Sequence, residues 1–100
     1  MADEVIIVEM RKPSSKEGQM NIFGDIITTQ VLDIATLSAA MNTDTAMVQI
    51  ISKGTGFWYK VGGSSVSAAA DTNGNVWLKA DASHSISIEG DKYIDTAADA

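Results

Sequence analysis

Cysteine is absent from this sequence, which also has a single proline and a single histidine. The lack of cysteine excludes disulfide bonds, thiolate chemistry and cysteine-ligated zinc. One histidine is too few for a histidine-rich metal site, and it leaves His84 as the one side chain suited to general-base chemistry near neutral pH. No apolar run approaches the ~20 residues that a membrane-spanning helix needs. These absences predict a protein that is not an enzyme and that has no cofactor or metal site.

Basic residues are also few, since seven Lys and Arg stand against thirteen Asp and Glu. The resulting net charge of −6 is unsuited to phosphate backbones and to anionic membrane surfaces, so we expect neither nucleic acid nor membrane as a partner. The first four residues carry two acids where a signal peptide carries bases, so no leader is expected. A chain of 100 residues buries only a thin core, which favours stabilisation by neighbouring subunits.

Short strands and frequent turns fill most of the chain. Apolar–polar alternation and runs of β-branched residues predict strands at 5–10, 26–34, 45–51, 57–61, 75–80 and 83–89. The pair Asn73-Gly74 is typical of a type I′ hairpin turn, because both central residues of that turn need positive φ. No segment keeps a long helical period. The sequence therefore predicts an all-β fold, a small antiparallel β-sandwich of the jelly-roll or small-barrel kind.

The N-terminal part differs from the rest. Residues 5–10 (VIIVEM) are strongly β-forming, whereas residues 11–19 contain the proline and three of the seven basic residues. We therefore predict an N-terminal strand and arm over 1–25 and a β-sandwich body over 26–100. The arm is expected to pair with the edge of a neighbouring subunit, although an ordinary solvated loop is the alternative for 11–19. The residues predicted to make this contact are Val5, Ile6, Ile7 and Val8.

Two aromatic strands give the most unusual pattern. The stretches 57–60 (FWYK) and 76–79 (VWLK) both contain Trp-x-Lys, and side chains alternate between the two faces of a sheet. If Phe57 and Leu78 face the core, both tryptophans face outward beside lysines, and tryptophan is enriched at the centres of protein interfaces. The alternative is that one tryptophan anchors the core while its lysine extends to the rim. The residues of the predicted partner surface are Trp58, Lys60, Trp77 and Lys79.

Patterns for catalysis or metal binding are weak. Asp71 opens a stretch of carboxylate and amide side chains spaced like the start of a calcium loop. However, Val76 and Ala82 stand where such a loop needs glycine and a bidentate glutamate. No Gly-x-Ser-x-Gly elbow accompanies His84, which lies on the apolar side of an alternating strand. We expect His84 at the core or at the edge of a cleft, with a ring nitrogen hydrogen-bonded, and no catalytic residues.

The middle of the chain carries a recognisable order of pieces. It begins Leu37-Ser38-Ala39-Ala40-Met41-Asn42-Thr43-Asp44-Thr45-Ala46-Met47-Val48-Gln49-Ile50. It continues with a turn, a strand ending in Gly62, a Ser/Ala-rich link and two further strands. A Gly90-Asp91-Lys92 turn then leads into a last strand. Over residues 27–98 this order resembles small virion proteins of tailed bacteriophages.

The resemblance implies a role and partners. It implies a structural protein of the virion, a capsid decoration (cement) protein that stabilises the head shell, made in the host bacterial cytoplasm and located on the capsid surface. The implied partners are the major capsid protein and further copies of the chain. The alternative is a tail or fibre accessory domain that uses Trp58 and Trp77 to contact a receptor or glycan.

Overall fold

The part of the chain that the structure describes forms nine strands. The computed structural model describes residues 3–12, 15–16, 19–20 and 25–98, and within these ranges it contains no helix. The strands are β1 (Glu4–Met10), β2 (Ser15–Lys16), β3 (Gln19–Met20), β4 (Ile26–Asp33), β5 (Met47–Lys53), β6 (Phe57–Gly62), β7 (Val76–Leu78), β8 (Ser83–Ser87) and β9 (Tyr93–Ala98). They form a four-stranded sheet in the order β4-β1-β5-β8, a three-stranded sheet in the order β7-β6-β9, and the ribbon β2-β3. All pairs are antiparallel, and the predicted small β-sandwich is confirmed.

The hydrophobic core lies between the two larger sheets, because alternate residues of each strand point inward. β1 and β5 show this directly, with buried residues at every second position. A buried aliphatic or aromatic side chain of this kind stabilises the fold by about 1.5–3 kcal/mol relative to exposure. The largest contributions come from Ile7, Ile50, Phe57, Leu78 and Ile94, all completely buried.

β1 is a central strand rather than part of an arm. Ile7 lies opposite Gln30 of β4 on one side and opposite Ile50 of β5 on the other, so the strand is paired along both edges. The prediction of a separate N-terminal segment over 1–25 is therefore wrong for residues 4–10, which complete the body's sheet. Of the rest of the predicted arm, residues 1–2, 13–14, 17–18 and 21–24 lie outside the described residues.

The segment between β4 and β5, called the crossing segment below, leaves the four-stranded sheet, runs along the free edge of β9 and returns to the same sheet. The Ser38 N–H donates to the Ile94 carbonyl at 2.9 Å, and the Ser38 hydroxyl accepts from the Ile94 N–H at 2.8 Å. The Met41 N–H donates to the Lys92 carbonyl at 2.8 Å. The N–H and carbonyl of Ile94, with which a neighbouring chain could have paired, are thus already occupied.

The Glu9 carboxylate of β1 is buried against the crossing segment. Glu9 is 2% exposed, and its Oε1 accepts hydrogen bonds from the Asn42 N–H at 2.7 Å and from the Thr45 hydroxyl at 2.9 Å. Its Oε2 accepts from Nε2 of Gln30 at 3.0 Å. Three donors replace the water that the charge loses on burial, so Glu9 ties β1 to β4 and to the crossing segment.

The turn at Asn73-Gly74 is not the predicted type I′ hairpin. Of this pair only Gly74 has positive φ, at 87°, and the Asn75 N–H donates to the Thr72 carbonyl at 3.2 Å. This is the geometry of a type II turn, which needs positive φ at one central position only. The Asn75 side chain also accepts from the Ala69 N–H at 3.0 Å, so the turn closes a loop instead of joining two paired strands.

Candidate functional site

The two tryptophans lie side by side on the outer face of the three-stranded sheet. Trp58 is directly opposite Trp77 in the β6–β7 pair, just as Phe57 is opposite Leu78. Because Phe57 and Leu78 are completely buried, alternation turns both indoles away from the core. The ring centroids are 5.5 Å apart at an interplanar angle of 52°, a tilted pair of the kind worth about 0.5–1.5 kcal/mol beyond area burial. The predicted outward orientation is confirmed, and the alternative of a tryptophan core anchor is wrong.

Gly56 determines where the Trp77 ring lies. A Cβ atom at residue 56 would stand 2.6 Å from Cζ2 of Trp77 and 2.7 Å from the Leu78 carbonyl oxygen, so the surrounding atoms would have to shift. The absent side chain lets the indole rest against the backbone just before β6, and the Trp58 ring also packs against it. Trp77 nevertheless stays 39% exposed. Nothing in the local sequence around Gly56 indicates this contact.

The two predicted lysines lie near the pair. Lys60 is two residues beyond Trp58 on the same face of β6, and it is half-buried opposite Asp95 of β9. Lys79 is exposed immediately after β7. We call Trp58, Lys60, Trp77 and Lys79 the tryptophan surface. It combines two aromatic rings with two cations on a chain whose net charge is −6.

The N-terminal residues predicted to contact a partner do not join this surface. Val5 and Ile7 are completely buried between the sheets, so the prediction that they meet a partner is wrong. Ile6 and Val8 lie half-buried on the outer face of the four-stranded sheet. The predicted contact residues thus occupy two different sheets and cannot form one continuous site.

His84 lies at the edge of the core, with a ring nitrogen hydrogen-bonded as predicted. It lies opposite Ile50 on β8, half-buried, and its Nδ1 shares a hydrogen bond of 3.0 Å with the Tyr59 hydroxyl. The two rings meet edge to face, with centroids 5.9 Å apart. Burial raises the pKa of Tyr59, because the ionised phenolate would lose its hydration there. The contact explains the histidine as a packing partner of a core tyrosine.

Other features of the surface offer less chemistry. A shallow, open depression of about 530 Å³ is lined by Thr45, Ala46, Ser87, Ile88, Glu89 and Gly90, with one carboxylate and no basic side chain. In the part of the chain that the structure describes, no group of three or more His, Asp or Glu side chains is placed to hold a metal ion. The same ranges contain no helix of the length and apolarity required to cross a membrane. The tryptophan surface is therefore the strongest candidate for a functional site.

Comparisons with known proteins do not place this surface in a family. No family model matches the chain, and neither a curated protein nor a solved structure matches it. Its function has to be inferred from its own residues.

Proposed function

We propose that this chain is a structural protein of a tailed-phage particle, a decoration protein that binds the major capsid protein through the tryptophan surface and so stabilises the head shell. The paired, outward-facing tryptophans are the observation that carries the proposal. The resemblance of residues 27–98 to small phage virion proteins supplies the biological setting.

The tryptophan pair is suited to binding because it is rigid before any partner arrives. Trp77 packs against both the Gly56 backbone and the Trp58 ring, so little side-chain entropy remains to be lost on binding. At 39% exposure, its ring leaves roughly 60–100 Å² for a partner to cover, worth about 2 kcal/mol. Tryptophans in such positions are typical of residues that dominate the affinity of an interface.

The lysines indicate the chemistry of the partner. Lys60 and Lys79 place positive charge beside the indoles, whereas the chain as a whole is acidic. A partner groove that is acidic and partly apolar would attract this face and repel the others, which fixes orientation and raises the association rate. Binding through the tryptophan surface should therefore weaken as salt is added.

Particle binding tests the proposal. Particles of the phage that encodes this chain, produced without it, would be mixed with the purified protein and sedimented. We expect Trp58→Ala and Trp77→Ala each to raise the Kd about 30-fold, since each removes about 2 kcal/mol of binding, while the proteins remain folded. Leu37→Ala is the matched control, because Leu37 is a comparably exposed apolar side chain that is not one of the four residues of the tryptophan surface.

Three outcomes would contradict the proposal. Unchanged binding by both tryptophan variants would reject the surface, and wild-type protein that does not bind particles would reject the decoration role. Loss of folding by both variants would show that the indoles belong to the core. Quantitative mass spectrometry of intact particles distinguishes the decoration role from the alternative by counting copies of the chain per particle. Hundreds of copies support decoration, whereas a few to tens support a tail or fibre accessory that contacts a receptor or glycan.

A further inference from the structure

β4 leaves one edge of the four-stranded sheet open, and we propose that this edge pairs with β4 of a second copy to form a two-fold dimer with one continuous eight-stranded sheet. Among the described residues, β4 pairs with β1 alone. The inference does not rest on the proposed function, because β4 and the tryptophan surface belong to different sheets.

The other sheet edges are short or covered. The crossing segment between β4 and β5 is hydrogen-bonded to Thr96 and Ile94 of β9 and to Lys92 just before that strand. β7 has only three residues, and β8 has five, with exposed serines at alternate positions. Short, polar or covered edges are the means by which natural β-proteins avoid pairing with other chains.

β4 shows none of these protections over most of its length. Its eight residues, IITTQVLD, include no proline, lysine or arginine. The single irregularity falls near its start, where the pairing steps from Thr28 to Ile26, and Thr28–Asp33 match β1 one to one. Ile26 and Val31 are 65% and 57% exposed, which makes them the most exposed large apolar side chains of the described chain. A long and mostly regular edge that carries exposed apolar side chains and no basic residue is the kind that accepts a further strand.

A second copy of β4 fits this edge. The one charged residue, Asp33, lies at the C-terminal end, so antiparallel pairing of two copies puts the two carboxylates at opposite ends, whereas parallel pairing would place them side by side. Thr29 and Val31 are β-branched, and such residues pair favourably across strands. An isologous contact also closes the assembly, because one pairing uses the open β4 edge of both copies.

Sedimentation velocity of the full-length purified protein tests the dimer. We expect a reversible monomer–dimer equilibrium that strengthens with added salt, because each copy carries a net charge of −6 and salt screens the repulsion. Val31→Lys would place like charges close to the two-fold axis and should raise the dimer Kd about tenfold or more. Ser85→Lys is the matched control, since it adds the same charge to an exposed position on the opposite edge of the same sheet.

Several results would overturn the inference. The first is a wild-type chain that stays monomeric at every protein and salt concentration. The second is a dimer Kd that Val31→Lys leaves unchanged, and the third is a dimer Kd that Ser85→Lys raises as much as Val31→Lys does. Thr29→Lys serves as a second edge variant if Val31→Lys does not fold. Hydrogen exchange adds a backbone readout, because alternate β4 amides should gain protection as protein concentration rises. Trp77→Ala should leave the dimer intact, so failure of this inference and failure of the proposed function are distinguishable.

Discussion

Replacing Glu9 by glutamine is the sharpest test of how the fold is held together. The Glu9→Gln change keeps the size of the side chain, but it removes the charge and turns one acceptor oxygen into an NH₂ group. All three neighbours of this side chain are hydrogen-bond donors, so neither orientation of the new amide satisfies its NH₂ group. If the amide oxygen stays with Asn42 and Thr45, the new NH₂ group faces Nε2 of Gln30, which is itself a donor.

The magnitude follows from these contacts. Gln30 cannot turn its amide over without cost, because its Oε1 accepts from the Ala39 N–H at 2.9 Å. One hydrogen bond to a charged group is lost, and such bonds contribute about 1.5–3 kcal/mol. We therefore expect the free energy of unfolding to fall by about 2 kcal/mol and Tm to fall by roughly 10 °C for a domain of this size.

Denaturant titration and thermal melts measure this loss. Glu89→Gln is the control, because it removes the same charge from an exposed side chain and should change stability by less than about 0.5 kcal/mol. A double-mutant cycle with Thr45→Val should give a coupling energy of about 0.5–3 kcal/mol with Glu9→Gln. Equal stability of Glu9→Gln and the wild type, or additivity in the cycle, would refute the stabilising role of the carboxylate.

Three further changes test the packing of the sandwich. Gly56→Ala would bring a methyl group within 2.6 Å of the Trp77 ring, so the unfolding free energy should fall by about 1–3 kcal/mol. Because the Trp77 ring would shift relative to Trp58, the exciton signal of the tryptophan pair in circular dichroism should also weaken. Burial raises the pKa of Tyr59 above 10.0. The stability that Tyr59 contributes should therefore be complete below pH 10.0 and lost as the pH rises through the raised pKa. Thermal melts of Tyr59→Phe should lack this pH dependence. Ser52→Ala removes a buried hydroxyl that donates to the Lys79 carbonyl at 2.5 Å and accepts from the Ala82 N–H at 3.0 Å. Denaturant titration should show that the free energy of unfolding falls by about 1–3 kcal/mol, and a fall of less than about 0.5 kcal/mol would contradict this.

Local alternation predicted the fold class and the orientation of the tryptophans. Strand β6 was expected at 57–61 and lies at Phe57–Gly62, and β8 was expected at 83–89 and lies at Ser83–Ser87. Period-two patterns are set by neighbours two residues apart, so one strand's sequence is enough to assign its faces. The outward position of Trp58 followed from this alone.

The place of β1 in the sheet could not be read from the same kind of pattern. Which strands flank a given strand depends on partners far along the chain, here β4 and β5. One signal was present, however. Both faces of VIIVEM are apolar, with Val5 and Ile7 on the inner face and Ile6 and Val8 on the outer, and strands without a polar face are typical of interior positions in a sheet.

Contacts distant in sequence also explain what was missed at Glu9 and Gly56. The donors to Glu9 come from residues 21, 33 and 36 positions away, and the ring that covers Gly56 belongs to Trp77. No local pattern carries such information, since an acid in a strand and a glycine near a turn are both common in exposed positions. Their roles appear only when the sheets are assembled.

The two inferred contacts would reinforce one another on a particle. Antiparallel pairing in one continuous sheet requires a two-fold axis perpendicular to that sheet, so the three-stranded sheets of both copies would lie on its same side, with both tryptophan surfaces facing one way. A dimer would then attach to a shell at two points, and the second attachment would benefit from a high effective concentration. Val31→Lys should therefore weaken particle binding although it leaves the tryptophans untouched, and fusing two Val31→Lys copies through a long Gly/Ser linker should restore part of the affinity. Equal particle affinity of wild type and Val31→Lys, at concentrations where the wild type is dimeric, would show that the two contacts act separately.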